Sequence, residues 1–304
     1  PAIIMVSVAV LLFKLAIVQA IIVSVALGVP SISIISVLVL KYKMNRHEDG
    51  IRVLSGVVVA DVLAFVVLAI ASPGASATVT LLGILAFFVA LFAADKLMKR
   101  HAHAIRKVFN SVSSVERSED LVFAAVILLG FVVASILQLI GITYVLGAFF
   151  AGILIHEAIV GKRLYESMKK TFRRLNNSFF IPLFFSIAGL SVVLPGGSYI
   201  ALLLCLIALS AVVGGVLDYA VAVRKLKLMR PRVATALFGS RGAVGAVIGV
   251  IALSEGLISN DLYSVIIMGT VLLSLVMPAM IGRSLWRAGS RENILLEVHE
   301  SGRG

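Results

Sequence analysis

The sequence predicts an all-α polytopic membrane protein of about nine transmembrane helices, with inverted repeats and two broken, crossing helices. Three observations predict it. The 304-residue chain is 61% hydrophobic and 14% charged, against roughly a quarter charged in soluble domains. Apolar runs of about 17 to 25 residues, long enough to cross a hydrocarbon core about 30 Å thick, recur along it. Basic residues gather between alternate runs, as they do in cytoplasmic loops. Length alone suggests roughly two soluble domains, but the repeated runs make 1–304 one membrane domain.

Residues 1–13 are apolar but too short to cross, and read as the end of a truncated helix. Spans follow at 15–40, 51–71, 77–95, 121–140, 143–159, 178–194, 198–221, 233–253 and 262–282. Segment 96–118 is basic with Leu97, Ile105, Val108 and Phe109 interspersed, which makes a cytoplasmic amphipathic stretch. Its His101 and His103 are either solvated beside anionic headgroups or sensors of cytoplasmic pH. Residues 284–304 form a cytoplasmic tail. The single Cys205 lies within an apolar run, so disulfides play no part.

Charge tests this assignment independently. Of 27 Lys and Arg residues, all but Lys14 and Arg241 fall in 41–52, 96–117, 160–177, 222–232 or 283–304. With alternating spans these segments face one compartment, the cytoplasmic side of a cell membrane. The opposite connections, at 72–76, 141–143, 195–198 and 254–261, carry no Lys or Arg. The net charge of +12 is therefore a topology signal. Split among short loops, it does not make the continuous stripe that binds nucleic acid.

The candidate carrier is Asp61. Ten residues into the span 51–71, at about 1.5 Å per residue, it stands near the midplane. An ionised Asp there costs about 2.5 to 3.5 kcal/mol on insertion scales, and intramembrane acids usually bind protons or ions. The bland alternative is a neutral, hydrogen-bonded Asp that holds helices together.

Two spans are interrupted. LGVPSISIIS places Gly28, Pro30, Ser31, Ser33 and Ser36 in mid-membrane, where proline removes a backbone donor. FGSRGAVGAVIG combines Gly239, Gly242, Gly245 and Gly249 with an intramembrane cation, Arg241. Broken backbone at that depth lines a cavity or is buried in protein. Gly28, Pro30, Gly239 and Gly242 are candidate hinges, and Arg241 is a candidate for compensating charge where helix ends cross. Gly245 and Gly249 also fit a close small-residue helix contact. The first broken span runs inward and the second outward, each followed by a span of opposite direction, which is the inverted-repeat pattern of secondary transporters.

GVVVADVLAF at 56–65, YVLGAFFAGIL at 144–154, FFIPLFFSIAGLSVVL at 179–194 and SRGAVGAVIGVIAL at 240–253 resemble monovalent cation/proton antiporters of the NhaA-like fold. The branch is that of sodium/proton and glutathione-gated potassium-efflux antiporters. The resemblance implies an antiporter-type transport domain over 1–304 with a moving core, a dimerisation domain and hence a homodimer. It places the family's membrane-embedded Asp on Asp61. The chain departs from the family at three polar positions: Ala60 precedes Asp61, Gly215 stands near a frequent lysine, and Ala243 follows Arg-Gly.

The expected function is secondary antiport of protons against Na+ or K+ by alternating access at Asp61, with Ser31 and Ser33 as further oxygen ligands. The alternatives are a potassium-selective efflux antiporter and a transport-inactive membrane scaffold or sensor. One Asp makes no charged ring for a channel. No nucleophile/base pair, phosphate-binding glycine loop or metal-spaced His/Cys cluster points to an enzyme, a cofactor or a metal other than the transported cation. Glu157 and Asp218, toward the cytoplasmic ends of their spans, read as interface or entrance residues.

Overall fold

A computed structural model describes residues 1–30, 48–71, 118–139, 162–224 and 241–275, with isolated positions between them. Helices and their connecting turns make up these segments, with no strand among the described residues. The helices are α1 (Ala2–Leu11), α2 (Ile17–Gly28), α3 (Glu48–Ala71), α4 (Ser118–Leu139), α5 (Lys162–Leu175), α6 (Ile181–Leu190), α7 (Gly197–Leu209), α8 (Gly215–Arg224), α9 (Ala243–Ser254) and α10 (Asn260–Leu275). Two π-helical stretches join them: Asn176–Phe180 between α5 and α6, and Ser210–Gly214 between α7 and α8. Ile51–Ala71 and Gly197–Arg224 are long and apolar enough to cross a membrane, while α1, α2, α9 and α10 are apolar but shorter. Most of the spans read at 77–95 and 143–159, with Ser31, Ser33, Ser36, Glu157, segment 97–117 and the tail, lie outside the described residues.

The chain divides into two compact units, Pro1–Leu68 with Ala188–Gly304, and Ala69–Ile187. In the first, α1 and α2 fold back on each other across a turn at Lys14, which takes the left-handed conformation (φ 52°). Pro30 ends α2. The residue before a proline is pushed out of the α region, and Val29 is extended at φ −87°, ψ 131°. The ends of α6 and α10 are tied together where loop 191–196 passes. The Tyr263 hydroxyl donates to the Ala188 carbonyl at 2.6 Å, and Ser264 Oγ accepts from the Val193 amide at 2.9 Å while donating to the Asn260 carbonyl at 2.8 Å. A buried tyrosine hydroxyl needs such a partner.

In the second unit, α5 is a helix where the sequence reading has a basic loop. It continues through the π-helical stretch into α6, so the helix that carries most of the expected span 178–194 runs from Lys162 to Leu190. The reason is amphipathic spacing: Tyr165, Met168 and Phe172 recur on one face, and the Phe172 ring meets Phe123 of α4 at a centroid distance of 4.6 Å. Lys162, Arg163, Lys169, Lys170, Arg173 and Arg174 remain exposed.

Candidate functional site

The end of α2 is the starting point. A helix that stops leaves its last carbonyls without intrahelical donors, and Pro30 cannot supply an amide. Ser210 fills part of this gap: its hydroxyl donates to the Leu27 carbonyl at 3.1 Å. The same oxygen accepts the Arg241 Nε–H at 3.3 Å. Both side chains are fully buried, Ser210 at 0% and Arg241 at 1% exposure. A cation thereby stands near the negative end of the α2 dipole, a favourable placement.

Each partner is positioned by an irregularity in its own element. Ser210 opens the π-helical turn Ser210–Gly214, and such turns often mark functional sites. Arg241 lies in the connection between buried Gly239 and the first turn of α9, with Gly242 extended before it. Gly214 lies against the guanidinium, where a Cβ would stand 3.4 Å from Arg241 Nη2, an ordinary van der Waals contact. Asp218, one turn further on, interacts electrostatically with Arg241 and keeps Oδ2 buried. Asp218 as a whole is half-buried.

Helices α2, α9 and α10 also approach one another closely. A Cβ on Gly245 of α9 would collide with the Ala26 carbonyl of α2 and stand 2.6 Å from Thr270 Cγ2 of α10. On the other side, a Cβ on Gly269 would stand 2.7 Å from Leu27 Cδ2. Close packing of α2 against α9 thus requires the absence of a side chain at Gly245, while at Gly269 the end of the Leu27 side chain would have to shift.

Asp61 lies in the same unit, on the buried stripe of α3. Val53, Val57, Asp61, the adjacent pair Ala64 and Phe65, and Leu68 follow one another at three- or four-residue steps and are each at most 5% exposed. Ile51, Val59, Leu63 and Ile70 cover the outer face. The structure thus joins Leu27, next to Gly28 in the chain, and Arg241, next to Gly242, on Ser210, and turns Asp61 inward on α3. Sequence reasoning missed Ser210, although it is the only hydroxyl in the apolar stretch 201–217.

Ser210→Ala leaves both the Leu27 carbonyl and Arg241 Nε short of a partner. It is expected to lower unfolding stability in detergent by about 1–2 kcal/mol, while Ser198→Ala, at an exposed position, changes it little. Equal melting of the two variants would remove Ser210 from the crossing.

A helix end capped by a buried Ser210–Arg241 pair, and a buried acid on a helix long enough to cross a membrane, are thus on one compact unit. Comparison with known proteins is more specific. The family described as "Sodium/hydrogen exchanger, transmembrane" matches residues 2–287, and the chain belongs to this family of membrane transporters. It is similar to the Na(+)/H(+)-K(+) antiporter GerN of Bacillus cereus, 24% identical over 245 residues, covering 79% of this chain and 60% of GerN. It is also similar to a Na(+)/H(+) antiporter of Enterococcus hirae, 26% identical over 280 residues, covering 88% of this chain and 70% of that protein. The match therefore spans between half and three quarters of each relative's length.

Proposed function

We propose that the chain exchanges protons for a monovalent cation, Na+ or K+, by alternating access around Asp61. The observation that carries this reading is the burial of Asp61 at 2% exposure on an apolar helix long enough to cross the membrane. A carboxylate in such a place holds either a proton or a cation, because an uncompensated charge there is costly. Carbonyls freed where α2 stops, with Ser31 and Ser33 beyond it, are the further oxygen ligands in this reading. Arg241, hydrogen-bonded to Ser210 near the end of α2, compensates helix-end charge and does not bind the cation. The protein works as a homodimer in the cell membrane, with its basic segments and tail in the cytoplasm.

Ion-dependent proton flux in proteoliposomes tests the proposal, with Na+, K+ and Li+ compared. Flux with Na+ or K+ is expected. Its absence from a well-folded preparation would favour the transport-inactive scaffold. The potassium-selective reading is supported by the K(+) in the name of the Bacillus relative, and flux with K+ alone would select it.

Exchange is expected to be electroneutral. A single carboxylate that holds either H+ or a monovalent cation carries the same charge in both directions, and Ala60 supplies no second acid beside Asp61. Clamping the vesicle potential should therefore alter the initial Na+ rate by less than about twofold, although moving one charge through 100 mV is worth about 2.3 kcal/mol. Strong acceleration by one polarity would implicate a second carrier, with Asp218 the first residue to test.

A further inference from the structure

In the second unit, α5 and α4 enclose an apolar groove of about 390 Å³. Gly130 on α4 and the helical residue Gly152 line it, and a Cβ at either would meet nothing within 4 Å. One turn away the same two segments are in tight contact, since a Cβ on Gly147 would lie 2.6 Å from Ala134 Cα. Met168 and Phe172 of α5 form the facing wall.

Lys169 lines this groove and also a neighbouring polar depression that holds Lys170, Arg173 and Glu166. Glu166 engages Lys169 at 3.6 Å in an exposed pair, which is weak in water. The other basic side chains of α5 have no further acid on their own helix to balance them.

We propose that this groove binds an anionic phospholipid, with an acyl chain between α4 and α5 and the phosphate on Lys169, Lys170 and Arg173. Size and charge choose the occupant together. The groove is walled by Val126, Ile127 and Gly130, by Ala151 and Gly152, and by Phe172, with Lys169 as its one charged residue among the described residues. It lies within the roughly 300–1,000 Å³ of small-ligand sites. Its apolar wall fits a hydrocarbon chain, and the lysine at its border leads to a basic face that attracts anionic headgroups. Arg173 offers a planar fork for phosphate oxygens.

Native mass spectrometry of the purified full chain tests this, with phosphatidylglycerol, phosphatidylcholine of the same acyl chains, and glycerol 3-phosphate added at equal concentrations. Phosphatidylglycerol is expected to be retained about tenfold more than phosphatidylcholine, and glycerol 3-phosphate not at all. Lys169→Gln with Lys170→Gln and Arg173→Gln should reduce phosphatidylglycerol to the phosphatidylcholine level. Gly130→Leu with Gly152→Leu, which fills the groove and keeps every charge, should reduce it as far. If the leucine pair does not elute as one helical species, alanine at both positions gives the same readout at smaller amplitude. Equal retention of the two lipids, retention unchanged by either set, or glycerol 3-phosphate binding as tightly as the lipid would each overturn the proposal. Transport is not measured, so the result stands apart from the exchange reading.

Discussion

Asp61→Asn abolishes cation-dependent proton flux and leaves a folded protein: that is the expected result in proteoliposomes. Asparagine keeps the size and much of the hydrogen bonding of aspartic acid but neither ionises nor binds a proton in this range. The buried stripe from Val53 to Leu68 is apolar apart from Asp61, so α3 keeps its packing, and circular dichroism and gel filtration should match the native chain. A proton-transfer group contributes about 10²- to 10⁴-fold in rate, so flux should drop to the level of empty vesicles. Asp61→Glu, which keeps the charge with one more methylene, should retain part of it. Full flux from a well-folded Asn variant would move the carrier elsewhere, to Asp218 or Glu157.

The second large effect is steric. At Gly245 even an alanine methyl is obstructed by the Ala26 carbonyl, a backbone atom that cannot rotate away, and by Thr270 Cγ2 at 2.6 Å. Overpacking of this kind costs about 1–3 kcal/mol where side chains can yield, and more where backbone must move. Gly245→Ala should therefore lower the thermal midpoint in detergent and reduce flux by separating α2 from α9. Gly189→Ala, where a Cβ meets nothing within 4 Å, should be neutral. Adding Thr270→Ser removes one obstruction and leaves the carbonyl, so rescue should be small. Native stability in Gly245→Ala would mean that α2 and α9 are not held at this distance.

Much of this was legible in the chain, for identifiable reasons. Composition announces apolar helices, and Pro30 dictates that Val29 leaves the helical region, so the end of α2 at Gly28 follows from local stereochemistry. Asp61 stands out because a carboxylate among aliphatic residues is costly, and the spacing of Val53, Val57, Phe65 and Leu68 turns it inward. The helical state of Lys162–Leu175 was hidden by charge: six cations in fourteen residues look like a loop until Tyr165, Met168 and Phe172 are read as one face. Ser210 was hidden by distance. Its partners, Leu27 and Arg241, are 183 and 31 residues away in sequence, and nothing local records such a meeting.

The π-helical turn at Ser210–Gly214 has a consequence for the numbering of the helix itself. In an uninterrupted α-helix, seven residues bring the chain back to nearly the same side, so Leu217 would lie beneath Ser210. A turn closed from i to i+5 holds one residue more, and the next position inherits that place. Ser210, Gly214 and Ala222 are buried, Leu217 is 37% exposed, and Asp218 is the residue whose carboxylate acts on Arg241. If this turn closed as ordinary α-helix with all its residues kept, everything after it would rotate by about 100° and a leucine would replace the acid at the crossing; with one residue lost from the turn, the α-helix would close with Asp218 still in place. Here the type of one helical turn, with no change of sequence, has the chemical effect of a point substitution eight residues on.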